Sequence, residues 1–365
     1  MATYHGLNTP PKPDWHALVD VIRRAGTPKR VHHIELFHDG EVAQAIADRF
    51  GLLPGTPPGD PWYVQRRTIA VNRFLGFDYV RAGLVGQVWP FRRGVTEDTA
   101  ALRRTGGRGY IDEHTGPITT WEEFELYPWP DAAAPDAERD LEWYSENVPE
   151  DMCLIGSGVT GHLAEYLTWL MGYETLCFAL NDQRDLVEAI ARRLEAYFAA
   201  CAGRILAFDR VQVLWGSDDM GFRGGLMISP DDTRALILPG HRLLAQMTHA
   251  TGRPYLLHSC GDLADIEEDL IEDVRIDAKH SFEDTIEDVR QAKARCGDRI
   301  ALLGGIDVDF LCRADETAIR QRVRETLDVC HPGGGYCLGT GNSVANYIPL
   351  DHYLTMVDEG RLYGR

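Results

Sequence analysis

The chain has 365 residues, 44% of them hydrophobic, and carries 56 acidic against 37 basic side chains for a formal charge of -19. That length supports one large core, since barrels and open sheets run past about 250 residues as one unit, and the charge repels polyanions, which excludes nucleic acid and anionic membranes as expected partners. No apolar stretch of about 18 residues occurs, and the opening MATYHGLNTPPKPDW lacks the charged-then-apolar layout of a signal peptide, so a soluble, cytoplasmic protein is expected.

Residues 1–30, with Pro10, Pro11 and Pro13, read as a polar arm holding one short helix around WHALVDVIRRAG. Eight short β-rich runs follow: VHHIELF (31–37), FDYVRAG (77–83), CLIGSG (153–158), VQVLWGS (211–217), PYLLHSC (254–260), IDAKHSF (276–282), IALLGGI (300–306) and GGYCLGT (334–340). Between them, DLVEAIARRLEAYFAACAGRIL, SPDDTRALILPGHRLLAQMTHATG and DETAIRQRVRETLDVCHPGG carry apolar residues at helical spacing. Ser229 with Pro230 opens the second of these helices and Gly252 closes it. Strands alternating with helices eight times predict an α/β fold, a (β/α)8 barrel over residues 31–365, with a doubly wound open sheet as the alternative.

Residues 84–150 interrupt the alternation after the second strand. This insertion contains Trp89, Trp121, Trp129 and Trp143, side chains that favour burial, and is expected to form a lid or edge hairpin. The glycines at 333–335 precede a strand, so they do not form a dinucleotide fingerprint. The eight cysteines are too sparse for a disulfide scaffold and are expected reduced.

Parallel barrels place their reactive groups at the C-terminal ends of strands. Here those ends carry Glu35 and His38 (strand one), Asp218 and Asp219 (four), His258 and Cys260 (five), His280 and Glu283 (six), Asp307 (seven), and Cys337 to Asn342 (eight). Strand side chains alternate, so His258 and Cys260 project to one side and can share an ion, with Ser259 pointing away. An H-x-C pair alone is more often packing than ligation. Cys337, on a strand expected to share the same rim, supplies a third donor in an N, S, S set that suits Zn²⁺. Asp218 and Asp219 are candidates for substrate binding, acid–base work or a fourth ligand, against a capping role. For His280, a buried histidine bonded to a backbone carbonyl is the plainer reading. Glu35, Glu283 and Asn342 complete the set of candidate catalytic or substrate-binding residues.

LLHSCGD, ALLGGIDV and GGYCLGTGNSVANYIP together resemble the uroporphyrinogen decarboxylase superfamily, more faintly through GSGVTGHLAEYLTWLMGYETLCFALNDQ and GSDDMGFRGGLMISPDD. The resemblance covers about residues 150–360 and implies a (β/α)8 barrel. Its decarboxylases use an N-terminal arginine cluster, an aspartate ending strand two and a C-terminal N-L-G-H-G; this chain has no matching cluster, Ala82-Gly83, and Cys337-Leu338-Gly339-Thr340-Gly341. The chain is more similar to the methylcobalamin:coenzyme M and related corrinoid methyltransferases, whose H-x-C is followed some seventy-odd residues later by a further cysteine. Cys337 lies 77 positions after Cys260. The resemblance therefore implies a zinc-dependent methyltransferase working with a corrinoid on a separate protein, since no D-x-H-x-x-G element occurs, and a homodimer. The alternatives are a porphyrin-pathway decarboxylase and a non-catalytic barrel that binds metal or thiol.

Overall fold

All eight expected strands form, each within its hydrophobic run. We number them β1 (His32–His33), β2 (Tyr79–Ala82), β3 (Cys153–Gly156), β4 (Val211–Ser217), β5 (Tyr255–His258), β6 (Ala278–His280), β7 (Ala301–Leu303) and β8 (Tyr336–Leu338). The computed structural model describes residues 4–158 and 160–364. The strands lie parallel in the order β1-β8-β7-β6-β5-β4-β3-β2, a curled sheet with the helices outside, as in the (β/α)8 barrel. Strands covered on both faces need continuous apolar character: all four residues of β5, YLLH, are buried.

The helices follow their sequence signals with one departure. Ser229 accepts from the Asp232 amide and Pro230 occupies the first turn of Pro230–Leu236. The expected single helix then breaks, and a second runs from Leu238 to Ala250. Pro239 causes the break, because it lacks an N–H and its ring clashes with the carbonyl four residues earlier. The arm carries its helix at Trp15–Ile22.

The insertion contains an antiparallel hairpin, Arg93–Thr96 with Arg108–Ile111, and short helices at Trp121–Leu126 and Arg139–Asn147. Trp89 is buried, with Tyr166 and Tyr197 edge-on at 4.8 and 5.0 Å. Phe91 packs on Tyr166 and Trp169, both on the helix Leu163–Met171. Trp143 stacks on Trp62, whereas Trp121 is 42% exposed and departs from the expected burial. No helix of the described residues is long and apolar enough to cross a membrane.

Among the described residues no backbone ladder joins β1 to β2. Side chains span this seam. At its lower end the buried Asp78 carboxylate takes His32 Nδ1 at 2.6 Å, the Arg30 guanidinium and the Asp14 amide. At its upper end the Tyr79 hydroxyl accepts from the Glu35 amide at 2.8 Å and donates to the Glu35 carbonyl at 2.9 Å. The Glu35 carboxylate turns toward β8 and accepts from the Thr340 amide and hydroxyl. Burial pushes this carboxyl up to about 8 despite the Thr340 hydrogen bonds, so it is mostly protonated at neutral pH.

Two predictions follow from the seam. Asp78→Ala strands His32 and Arg30 in the interior and is expected to cost roughly 3–5 kcal/mol in urea unfolding, against under about 1 kcal/mol for Asp309→Ala, whose Arg313 pair is exposed. Glu35 keeps its proton in the folded state up to about pH 8 but loses it near 4.5 when unfolded, so its contribution to stability falls as pH rises through that window. Glu35→Gln is expected to remove a decline of a few kcal/mol from the stability–pH curve; an unchanged curve would show that the carboxyl ionises as it does in water.

Candidate metal centre at the barrel mouth

His258 ends β5, and Cys260, two residues on in the following loop, meets it at the mouth. The Cys260 sulfur lies 3.5 Å from His258 Nε2, and the Asp219 carboxylate lies 3.4 Å from the same nitrogen while accepting from the Cys260 amide at 2.9 Å. One donor atom from each of Asp219, His258 and Cys260 falls within 4.8 Å of the others, the one such group of three among the described residues. Two close approaches hold the loops at the mouth, one after β5 and one between the segments after β6 and β8. Gly261, at φ +93°, lets the Gly221–Phe222 backbone press in where a Cβ would meet the Gly221 carbonyl carbon at 2.1 Å. Gly341 admits the Phe282 carbonyl, which would lie 2.0 Å from a Cβ.

Around the sulfur stand two more polar groups. Asn342 Nδ2 donates to Cys260 Sγ at 3.3 Å and Ser281 Oγ lies 3.6 Å away. Ser281 has φ +91°, an unfavourable backbone conformation for a residue with a side chain, and it lies beside the cluster. Burial, then the Asp219 charge, holds the Cys260 thiol well above its ordinary value. Asp219 itself is partly buried, which opposes its ionisation, but hydrogen bonding from His258 and the Cys260 amide prevails and holds its carboxyl far below the ordinary range. A cation would replace the missing positive charge beside the thiol.

His280 is not merely a carbonyl-bonded core histidine. Its Nδ1 is 2.7 Å from His258 Nδ1, and its Nε2 faces the Thr340 carbonyl. Burial, with the neighbouring cations, drives His280 to the neutral form. With its proton on Nε2 toward the carbonyl, its Nδ1 accepts from His258 Nδ1–H, which leaves His258 Nε2, beside Cys260 and Asp219, as the nitrogen at which a metal ion would take the place of a proton. A metal-binding histidine needs such an outer partner.

Six of the strand-end residues stand elsewhere. Cys337 does not join the pair: it lies opposite His32 in the β1–β8 ladder, fully buried, and burial followed by the Asp78 charge raises its thiol. Asp78 marks the lower end of the barrel. At about 3.3 Å per residue, β8 reaches the mouth only several positions later, so Asn342 touches the Cys260 sulfur. Asp218 takes the capping role: its carboxylate accepts from the amides of Ala164 and Glu165 and from His241 Nε2, all at 2.9–3.0 Å. Glu283 lines clefts beside the β6–β7 loops and makes no hydrogen bond to the cluster among the described residues. Asp307 caps the helix Val308–Arg313. Glu35 and His38 face a separate cavity over the seam.

The donor set of nitrogen, thiol sulfur and carboxylate oxygen suits Zn²⁺, with a position left for water or substrate. The sequence carried no sign of Ser281 as a neighbour of the sulfur, because its contact depends on a turn conformation rather than on residue type. Nor did it reveal the pair formed by His162 Nδ1 and Glu165 at 2.6 Å, three residues apart across a helix start.

Comparison with known proteins agrees with the barrel. Curated uroporphyrinogen decarboxylases from Bordetella petrii and Cupriavidus pinatubonensis are 38% and 37% identical over 77 and 78 residues, 20% of this chain. The match spans about a fifth of the length of those relatives (21%). A solved methyltransferase from Methanosarcina mazei superposes with a TM-score of 0.67 over 94% of this chain and 97% of that one, at 18% identity, a likeness of fold. The family model described as uroporphyrinogen decarboxylase (URO-D) matches residues 146–363, more than half of the chain and all of β3 to β8 with the cluster they carry, and the chain belongs to that family.

Proposed function

We propose that this protein is a zinc-dependent methyltransferase of the uroporphyrinogen decarboxylase family, moving a methyl group between a small-molecule thiol or methyl donor and a corrinoid carried on a separate protein. The observation that carries this reading is the convergence of Asp219, His258 and Cys260 at the C-terminal end of a parallel barrel. These three residues would hold the ion, with Asp219 in the place the sequence reading gave to Cys337. Zinc there would supply a Lewis acid that holds a sulfur ligand as thiolate at neutral pH.

The chain's own groups have separable tasks. His280 fixes the tautomer and orientation of His258. Asn342 and Ser281 direct polar hydrogens at the Cys260 sulfur and favour its anion. Asp219 brings one negative charge and orders the Cys260 amide. The resemblance of the C-terminal motifs to the corrinoid methyltransferases and the loss of the decarboxylase N-L-G-H-G element support transfer over decarboxylation.

Metal analysis of the purified protein is expected to give about one zinc per chain. Cys260→Ser and His258→Ala should empty the site, while Cys337→Ala should stay loaded. His280→Phe should weaken zinc roughly ten- to a hundredfold, read by competition with a chromogenic chelator. Methyl transfer between methylcobalamin and a small thiol, followed by corrinoid absorbance, should track zinc content. Turnover of uroporphyrinogen by metal-free protein would overturn the proposal in favour of a decarboxylase.

A further inference from the structure

A cavity of about 380 Å³ opens over the seam between β1 and β2, walled by Glu35, His38, Arg67, Tyr79, Arg81 and Ser157 among others. Its volume suits a small molecule. Its charge is unusual for a chain with a formal charge of -19. Arg81, on β2, has no carboxylate partner among the described residues, and its Nε is buried without a hydrogen bond. The guanidinium stacks over Trp215 at 4.7 Å. Burial lowers Arg81 only to about 10, so it remains a cation.

Nothing in the wall cancels that charge. Glu35 is occupied by Thr340 and mostly protonated at neutral pH. Burial holds His38 down at about 4 and neutral, its Nε2 bonded to the Tyr353 hydroxyl. Arg67, a second cation, donates to Gln44 and has a buried Nε without a partner. A half-buried guanidinium with a buried, unpartnered Nε is completed by an anion.

The ligands of the candidate metal centre do not line this cavity, but packed side chains lead from one to the other. The ring under Arg81 is Trp215 of β4, which stands edge-on to His280 at 5.4 Å, and His280 holds His258. The Arg81 charge reaches His280 through this interior.

We propose that the seam cavity is an anion subsite, in which Arg81 pairs with the acidic group of a small organic substrate. The subsite deepens the methyltransferase reading and rests on it for what the anchored molecule does, but its affinity for anions does not require metal. Arg81 is assigned a binding role: its planar fork matches a carboxylate or sulfonate with two parallel hydrogen bonds.

The test is calorimetric titration of the full chain, zinc content measured beforehand, with 3-mercaptopropionate, 3-mercaptopropanesulfonate, 3-mercaptopropionamide and inorganic phosphate. One of the two organic acids is expected to bind at least tenfold tighter than the amide, and which of them does so identifies the acidic group. Arg81→Gln should erase that preference and Arg81→Lys should restore part of it, with circular dichroism and melting behaviour preserved. Equal binding of acid and amide by the wild-type protein overturns the proposal without reference to any variant. A preference that survives Arg81→Gln also overturns it, and phosphate binding tighter than either organic acid reassigns the cavity to a free oxyanion. Propionate, which has no thiol, should bind the chelator-treated protein with the same dependence on Arg81. That result upholds the subsite even where metal analysis rejects the zinc centre, and its absence counts against the subsite alone.

Discussion

The closure of the strand ring between β1 and β2 is the constraint on which the remaining features depend. Seven neighbouring pairs are joined by backbone hydrogen bonds, and the eighth contact is made by side chains: Asp78 with His32 and Arg30 below, and Tyr79 with the Glu35 backbone above. A ladder draws strands to just under 5 Å. Where it stops, the chains can separate, and the space so formed is the cavity beside Arg81. The same seam orients Glu35 toward Thr340, which fixes the turn leading from β8 to Asn342 and so to the Cys260 sulfur. Closure of the ring and construction of the mouth are therefore one problem.

Polar groups at the mouth are ordered from outside inward. The Thr340 carbonyl faces His280, His280 orders His258, and His258 meets Cys260 and Asp219. Each step fixes a proton position as well as a distance. The neighbouring carboxylates divide their work for the same reason. Asp218 faces the two amides of a helix start and a histidine, which consume its hydrogen-bonding capacity. Asp219, one residue on, points to the opposite side and keeps an oxygen for the cluster. Just beyond the end of β4, a structural acid and one kept for the cluster stand side by side in a single dipeptide.

The fold was legible because the eight hydrophobic runs are short, most are separated by helical periodicity, and each contains its strand. The β5 pair was legible because His258 and Cys260 stand two positions apart at a strand's end. Cys337 was misplaced because residue type and sequence spacing do not fix height along a barrel axis. A parallel barrel staggers its strands, so residues that oppose one another in a ladder at β1 and β8 lie below those at the mouth. Arg81 went unnoticed because an arginine inside a strand reads as an exposed face; its half-buried position depends on Trp215, more than a hundred residues later. The Pro239 break shows the converse case, in which one residue overrides a sound periodic pattern.

The hairpin-bearing segment after β2 has a consequence beyond covering one side of the barrel. Its Phe91 grips Tyr166 and Trp169, and its Ile118 amide bonds to the Leu170 carbonyl, all on the helix whose first amides are held by Asp218. A push on that segment is thus transmitted along a rigid rod to the residue next to Asp219. Evolutionary drift in the length or sequence of this outlying region would retune the carboxylate beside His258 without altering any residue of the mouth.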